Sequence, residues 1–430
     1  MKHVVLIALA LLCGPIACSS DSMTGPAPQA APDGAEASDD DVEPSLADPP
    51  EPPEGSAPPP ASADLRPGCT AKATIAGYTA WFFFTRPDKP CSGVAGSGLD
   101  AHVLDELTRL IDSVPAGGRI DGHIFSISVD SVANALLNAQ KRGVDVWIST
   151  DGAVAASTDL SKTAFLDQLV HKVYCTSPNR SSCVSTADGA ISHTKLFVFS
   201  SAKTPDGVVA NNVVWLGSAN QTYASGMRLY NNTVTIYGDG SLFAKMFGYL
   251  DDLYARRTQL DYYDPASGRG HFLTASADVY VSPEVQTDLV VNRLDDITPD
   301  DKCEVRVIQA SVRDSRLDVV NRLVTMKLGG CKVLVVAETV EPQALAALTA
   351  NGIPVRKKPI HDKSFIVYAK FGEAYAYRVF TGSHNLSGGA GHRYDEILVK
   401  LAPETGNAHP VYDAYLTHFS DAYDAATPRN

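Results

Sequence analysis

The sequence HTKLFVF at residues 193–199 has a counterpart in HDKSFIV at residues 361–367. Each copy is followed by a second apolar run and then by Gly-Ser-x-Asn, as GSAN at residues 217–220 and GSHN at residues 382–385. The spacing from His to Asn is 27 residues in the first copy and 24 in the second. One His-x-Lys triplet is common by chance, but two copies with the same sequel indicate a duplicated structural unit.

The segments before each copy have the periodicity of a strand, a helix and a second strand. They are predicted at residues 122–129, 132–142 and 144–150 before the first copy, and at residues 305–312, 315–328 and 332–337 before the second. Strands that alternate with helices of this size predict an α/β fold with parallel strand pairs. Further helices over 241–257 and 407–425 are expected to close the two halves.

This double pattern resembles the phospholipase D superfamily, whose mark is H-x-K-x4-D followed by G-S-x-N, once per half. The resemblance covers residues 95–405, and it is greatest with secreted bacterial phospholipase D-like proteins, because YNNTV at 230–234 and YDEI at 394–397 match their Asn-Asn and Asp-Glu segments. It implies two similar halves, 66–260 and 261–430, each a mixed β-sheet flanked by helices. The halves are expected to pack about a pseudo-two-fold axis, with the site at their seam.

The sequence departs from the family pattern at specific positions. Ser200 and Tyr368 stand where an Asp follows each H-x-K motif in the family. Eleven residues after the asparagine of Gly-Ser-x-Asn, the second half has Glu396 but the first half has Asn231. A catalytically weak or inactive binding protein with the same fold therefore stays open as one alternative.

The repeated residues suit the displacement of an alcohol from a phosphodiester. Histidine can act as nucleophile or as general acid because its ordinary pKa is near 6.5. A lysine two positions along a strand lies on the same face as its histidine, and asparagines donate hydrogen bonds to phosphate oxygens. The predicted catalytic residues are His193, Lys195, Asn220, His361, Lys363, Asn385 and Glu396, and the predicted substrate-binding residues are Ser218, Ser383 and Asn231. This scheme requires no metal or other cofactor.

The resemblance implies that His193 is the nucleophile and His361 the general acid and base. If the halves superpose, Glu396 is expected beside His361 and Asn231 beside His193. A carboxylate favours the protonated imidazole, so this pairing predicts the higher pKa for His361.

The N-terminal residues have the pattern of an export signal. A basic start, an apolar run over residues 4–12 and small residues before Cys18 predict an export signal over 1–18. Residues 15–19 resemble a lipoprotein cleavage site, at which Cys18 would become a membrane anchor, and its lipidation stays open. Residues 19–65 hold 11 of the 27 prolines and predict a disordered linker. The expected location is outside the cytoplasm: secreted, periplasmic or attached to an outer membrane as a lipoprotein.

The cysteines agree with export. Besides Cys13 and Cys18 there are six, an even number that predicts disulfides in an exported chain. Pairing of nearest neighbours (69–91, 175–183 and 303–331) is the simplest of the fifteen possibilities, among which the sequence does not choose.

Charge narrows the substrate only in part. The formal net charge is −13, but residues 66–430 hold 38 acidic and 35 basic residues, so the folded part is nearly neutral. It has no continuous basic stripe with interleaved aromatics, so nucleic acid is not the first choice of partner. The first hypothesis is a monomeric hydrolase of phospholipid head groups active in lipid degradation, and the second is an exported nuclease. The head group, and the choice between hydrolysis and transfer to another alcohol, stay open.

Overall fold

The computed structural model describes residues 66–155 and 164–429. The predicted signal over 1–18, with Cys13 and Cys18, and the predicted linker over 19–65 lie outside the described residues. Within the described ranges, no helix has the length and apolar character needed to cross a membrane.

The first sheet is built from residues 70–237. Its order is β1-β2-β8-β7-β6-β3-β4-β5, with β3·β4 and β4·β5 parallel and the other pairs antiparallel. The strands are β1 Thr70–Ile75, β2 Tyr78–Thr85, β3 Arg119–Ile124, β4 Asp145–Asp151, β5 His171–Cys175, β6 Leu196–Lys203, β7 Val209–Gly217 and β8 Asn231–Tyr237.

The second sheet is built from residues 271–429 and repeats this plan. Its order is β18-β14-β13-β12-β15-β16-β17-β10-β9, and β11 pairs with β15. The strands are β9 His271–Leu273, β10 Ala277–Ser282, β11 Ile297–Thr298, β12 Glu304–Val312, β13 Lys332–Val340, β14 Val355–Lys357, β15 Lys363–Phe371, β16 Ala374–Gly382, β17 Glu396–Leu401 and β18 Thr427–Arg429. The run β10-β17-β16-β15-β12-β13-β14 matches β2-β8-β7-β6-β3-β4-β5, so the duplication extends to the strand order.

Helices lie on both faces of the sheets. They are α1 His102–Ser113, α2 Asp130–Lys141, α3 Gly152–Ala155, α4 Tyr223–Arg228, α5 Gly240–Ala255, α6 Leu289–Asp295, α7 Leu317–Leu328, α8 Pro342–Ala350, α9 Gly388–His392 and α10 Pro410–Asp424. The predicted mixed α/β fold is therefore confirmed. The boundary predicted at 260/261 falls between the last strand of the first sheet and the first strand of the second.

Strand alternation divides the core into layers. In β6, Leu196 and Val198 belong to a central core that also holds Ile366 of β15, whereas Phe197 and Phe199 belong to an outer core that also holds residues of α1 and α2. Successive strand residues point to opposite faces, so one strand serves both layers. The central core joins the two halves, and α5 and α10 contribute to it.

Two backbone hydrogen bonds cross the seam between the halves in reciprocal fashion. The N–H of His193 donates to the Asp395 carbonyl at 3.0 Å, and the N–H of His361 donates to the Tyr230 carbonyl at 2.9 Å. Each lies beside a short parallel bridge. The segment that enters β6 thus runs along the segment that enters β17, and the segment that enters β15 runs along the one that enters β8.

One predicted element ends early. The strand predicted over 122–129 stops at Ile124, because residues 126–129 exchange backbone hydrogen bonds with Gln221 instead of continuing the ladder. The segment from Phe125 onward is consequently a loop at the carboxyl end of β3.

The prediction that the six cysteines form disulfides is confirmed, and the structure selects the nearest-neighbour pairing that the sequence left open. Bonds join Cys69 to Cys91, Cys175 to Cys183 and Cys303 to Cys331. Each closes a short segment within one half, so none of the three links the two halves covalently.

We predict that these six cysteines contain no free thiol in the oxidised protein. Thiol titration of the denatured, unreduced Cys13→Ser/Cys18→Ser variant should find essentially none, because every remaining sulfur is in a disulfide. The same sample after reduction is the control and should release six. Two or more reactive thiols before reduction would contradict the pairing.

Candidate active site

The two motif histidines meet at the seam. His193 lies just before β6 and His361 just before β15, and their ring centroids are 6.5 Å apart. Their exposed fractions are 1% and 6%. The structure thus brings the two motifs together, at a separation that a single phosphate can bridge.

His193 is paired with a carboxylate. Its Nδ1 lies 2.7 Å from Oε1 of Glu396, and both side chains are buried. The hydroxyl of Ser383 donates to the other carboxylate oxygen and so fixes its orientation. Because a carboxylate accepts hydrogen bonds, Nδ1 carries the proton, and the lone pair of Nε2 remains for chemistry.

His361 is paired with a neutral amide. Its Nδ1 lies 3.1 Å from Oδ1 of Asn231. The amide orientation is fixed, since Nδ2 of Asn231 donates to the carbonyls of Ser225 and Leu229, and the Ser218 hydroxyl donates to Oδ1. The amide oxygen therefore accepts from Nδ1, which leaves Nε2 of the neutral ring as an acceptor.

These pairs correct one prediction. Glu396 was expected beside His361 and Asn231 beside His193, and the structure shows the opposite. The reason is the seam: the backbone of His193 runs along Asp395, so its neighbour is the next residue of the other half, Glu396. The prediction that a carboxylate partner gives His361 the higher pKa is therefore wrong as well.

Burial is the main cause of the pKa of each imidazole. It lowers the pKa of His193 well below 6.5, and the positive charges of Lys195 and Lys363 lower it further. The pKa of His361 is lowered by burial and by the same two lysines. At His193, the carboxylate of Glu396 acts in the opposite direction, because a negative charge favours the imidazolium and so raises its pKa. The neutral amide of Asn231 does not raise the pKa of His361 in this way.

Each motif lysine donates a hydrogen bond to the backbone of the histidine two residues before it. Nζ of Lys195 donates to the His193 carbonyl at 2.7 Å, and Nζ of Lys363 donates to the His361 carbonyl at 2.6 Å. These bonds hold both ammonium groups beside the imidazoles, where they can neutralise a phosphate.

The asparagines of the Gly-Ser-x-Asn motifs are buried at the same seam. Nδ2 of Asn220 lies 3.5 Å from Nε2 of His361, again across the halves. Asn385 is 5% exposed. Ser218 holds Asn231 in place beside His361, and Ser383 holds Glu396 in place beside His193. Contact of Ser218, Ser383 and Asn231 with substrate stays a prediction.

Two residues of the site were missed by sequence reasoning. The ring of Phe125 stands edge-on to His193 at 4.6 Å, and Nζ of Lys195 lies 4.8 Å from its centroid. The carboxylate of Asp395 accepts the backbone N–H groups of Cys183, Val184 and Ser185. Burial raises the pKa of Asp395 to about 6, against the effect of these donors. The only sequence signal for Asp395 was its place beside Glu396.

The residues at the departing positions have other contacts. Ser200 Oγ accepts from the backbone N–H of Arg119 at 2.9 Å, and the ring of Tyr368 stacks on that of Tyr377 at 4.4 Å. In residues 66–155 and 164–429, no three His, Cys, Asp or Glu side chains are grouped as they would be to hold a metal ion.

Comparison with known proteins agrees with this geometry. A family model described as "Cardiolipin synthase, PLD-like domain" matches residues 107–252, which include the first His-x-Lys and Gly-Ser-x-Asn motifs. No curated protein sequence matches the chain significantly. Residues 107–252 thus match a PLD-like domain, and the second half repeats the same His-x-Lys and Gly-Ser-x-Asn motifs.

Several solved structures resemble the chain. The phospholipase D family member Nuc from Salmonella typhimurium is 24% identical over 36% of this chain and 98% of its own, with a TM-score of 0.29. Phosphatidylserine synthase from Haemophilus influenzae is 11% identical over 77% of this chain and 86% of its own (TM-score 0.48). Polyphosphate kinase from Porphyromonas gingivalis is 13% identical over 76% and 44% (TM-score 0.47). At these TM-scores, none of the three decides a substrate.

We predict that Asn231→Asp raises the pKa of His361 by about one unit, because it places a carboxylate at Nδ1. The measurement is the titration of the histidine Cε1–H resonances by NMR, with His361→Ala used for assignment. Asn134→Asp, on the exposed face of α2, is the matched control and should leave the titration unchanged. An unshifted His361 resonance in Asn231→Asp would contradict the pairing.

We predict that Glu396→Gln lowers kcat on a phosphodiester by about 10²–10⁴-fold, since the imidazole loses the carboxylate that orients and charges it. The variant keeps the shape of the side chain, so its melting temperature should stay near that of the wild type. Steady-state kinetics with bis-p-nitrophenyl phosphate measures the effect. A fall of less than about threefold would show that the carboxylate is dispensable.

Proposed function

We propose that the protein is an exported, metal-independent phosphodiesterase of the phospholipase D type that hydrolyses phospholipid head groups through a phosphohistidine intermediate. The observation that carries this proposal is the pair of buried imidazoles, 6.5 Å apart, of which only His193 has a carboxylate partner. Such a pair provides one nucleophile and one proton carrier for the same phosphorus atom.

In the first step, Nε2 of His193 attacks phosphorus. The N–P bond forms while the bond from phosphorus to the alcohol oxygen breaks, and Nε2–H of His361 gives its proton to the departing alkoxide. Glu396 stabilises the positive charge that appears on the phosphorylated imidazole of His193. The anionic phosphate itself raises the pKa of His361 relative to the empty site, so that it can hold this proton.

In the second step, neutral His361 removes a proton from water, and the resulting hydroxide attacks phosphorus. The N–P bond breaks, which releases the phosphomonoester and regenerates neutral His193. Throughout, Lys195 and Lys363 supply positive charge near the equatorial oxygens, where phosphoryl transfer accumulates negative charge. Asn220 and Asn385 are placed to donate neutral hydrogen bonds to the same oxygens.

A lipid substrate is supported by the sequence outside the described residues. Residues 1–65 combine a predicted export signal, a predicted anchor at Cys18 and an acidic linker. Together they are expected to place the protein at the outer surface of a membrane. The folded part carries a nearly neutral balance of charge, which offers little attraction to a polyanion.

The substrate assignment is tested with phosphatidylcholine vesicles, plasmid DNA and bis-p-nitrophenyl phosphate, each in the presence of EDTA. Release of head group that disappears in His193→Ala supports the proposal. Cleavage of DNA without release of head group would replace it by a nuclease. Failure to cleave any of the three would favour a binding protein that has lost turnover.

We predict that rapid quenching traps phosphate on His193. His361→Ala should still form this adduct with a p-nitrophenyl substrate, because p-nitrophenolate leaves without a proton, and should then hydrolyse it slowly. Mass spectrometry of the quenched peptides locates the adduct, and His193→Ala should show none. Phosphate on His361, or turnover without any adduct, would overturn the assignment.

A further inference from the structure

A glutamine beside the catalytic lysine is unused by the mechanism above. Gln309 lies on β12, directly across from Lys363 of β15 in the antiparallel register. Directly opposed residues of two antiparallel strands project on the same face of the sheet, with Cβ atoms about 5 Å apart. Gln309 therefore stands on the face that carries Lys363 and, two residues earlier, His361.

The amide of Gln309 has unmet hydrogen-bonding capacity. The side chain is 0% exposed, and among the described residues neither its Nε2 nor its Oε1 has a hydrogen-bond partner. A buried amide without partners is unfavourable, and native proteins rarely keep one without a reason. The parallel neighbour on β13 is Ala337, whose methyl side chain offers the amide no hydrogen-bond partner.

The first half has no amide at the equivalent position, opposite its motif lysine. The residue after each motif lysine, Ser364 or Leu196, pairs across the strands with Ile308 in the second half and with His123 in the first. Gln309 is the residue after Ile308. In the first half, the residue after His123 is Ile124, which is buried and apolar. The amide is therefore a feature of one side of the site, the side of His361.

We infer that Gln309 binds a hydroxyl group on the leaving alcohol, and so selects phosphodiesters whose head group is a polyol. This rests on the proposed function, in which His361 protonates that alcohol. Phosphoryl oxygens could satisfy Nε2, but Oε1 needs a donor, which a phosphodiester lacks. A hydroxyl donates and accepts at once, and it can therefore meet both atoms of the amide.

The test compares two lipids in vesicles of otherwise identical composition. Phosphatidylglycerol has two hydroxyls on a three-carbon head group, and phosphatidylpropanol has the same carbon count and charge without them. The wild type should cleave phosphatidylglycerol with a kcat/KM at least about tenfold higher, because a site built to bond a hydroxyl rejects the analogue that lacks it. Equal rates in the wild type would overturn the inference without any variant.

The variant Gln309→Met removes both hydrogen bonds at nearly constant volume. It should lower kcat/KM on phosphatidylglycerol until most of the preference over phosphatidylpropanol is lost. Hydrolysis of bis-p-nitrophenyl phosphate, which has no hydroxyl for the amide to bind, should change less than about threefold. Gln343→Met, at an exposed position of α8, is the matched control and should keep the preference. If Gln309→Met keeps it as well, the amide is satisfied by water and the inference is wrong.

The two hypotheses fail in different ways. If bis-p-nitrophenyl phosphate is cleaved and the activity requires His193, the proposed phosphodiesterase chemistry stands whatever the lipid preference. Loss of the lipid result alone then rejects the role of Gln309. If phosphatidylglycerol, phosphatidylpropanol and bis-p-nitrophenyl phosphate all remain uncleaved, the proposed function and this inference are rejected together.

Discussion

The site depends on two backbone hydrogen bonds that cross the seam, from His193 to the Asp395 carbonyl and from His361 to the Tyr230 carbonyl. They fix which residue of one half lies beside each imidazole of the other, because the next residues along the chain are Glu396 and Asn231. Neither half contains a complete histidine–partner pair by itself. The large central core shared by the two sheets therefore serves function as well as stability, since any shift between the halves would separate both pairs at once.

Much of this could be predicted from the sequence, and the failures have physical causes. Order and spacing of the motifs were sufficient for the duplicated fold, because strand periodicity and the H-x-K and G-S-x-N repeats are local signals. The partner of each histidine was predicted wrongly, because superposing two halves treats each as self-contained, whereas His193 and Glu396 are brought together by contacts between the halves. Phe125 was missed for a related reason: the apolar run that contains it reads as one strand, but the ladder ends at Ile124.

One disulfide lies close to the residues that position the carboxylate partner of His193. The disulfide between Cys175 and Cys183 closes a short loop. The backbone N–H groups of Cys183 and of the next two residues, Val184 and Ser185, donate to the Asp395 carboxylate. The carbonyl of Asp395 is in turn the acceptor for His193. A loop of the first half is thus tied to the residue that precedes Glu396, and the carboxylate partner of His193 is positioned without a covalent bond between the halves.

In the mechanism we propose, the unequal partners suit the two histidines to different tasks. A phosphorylated imidazole keeps a positive charge for as long as the intermediate lasts, and a carboxylate at Nδ1 stabilises that charge. This is the role that the proposed mechanism gives to Glu396, which lies 2.7 Å from Nδ1 of His193. The other imidazole must give a proton and then take one within a single turnover, and a fixed negative charge would favour one of these states over the other. The neutral amide of Asn231 orients His361 without this bias, so the charge of the bound phosphate can decide when His361 is protonated. In the proposed mechanism, Asn231 is therefore not a loss of function in the first half but the residue that lets the protonation of His361 depend on substrate.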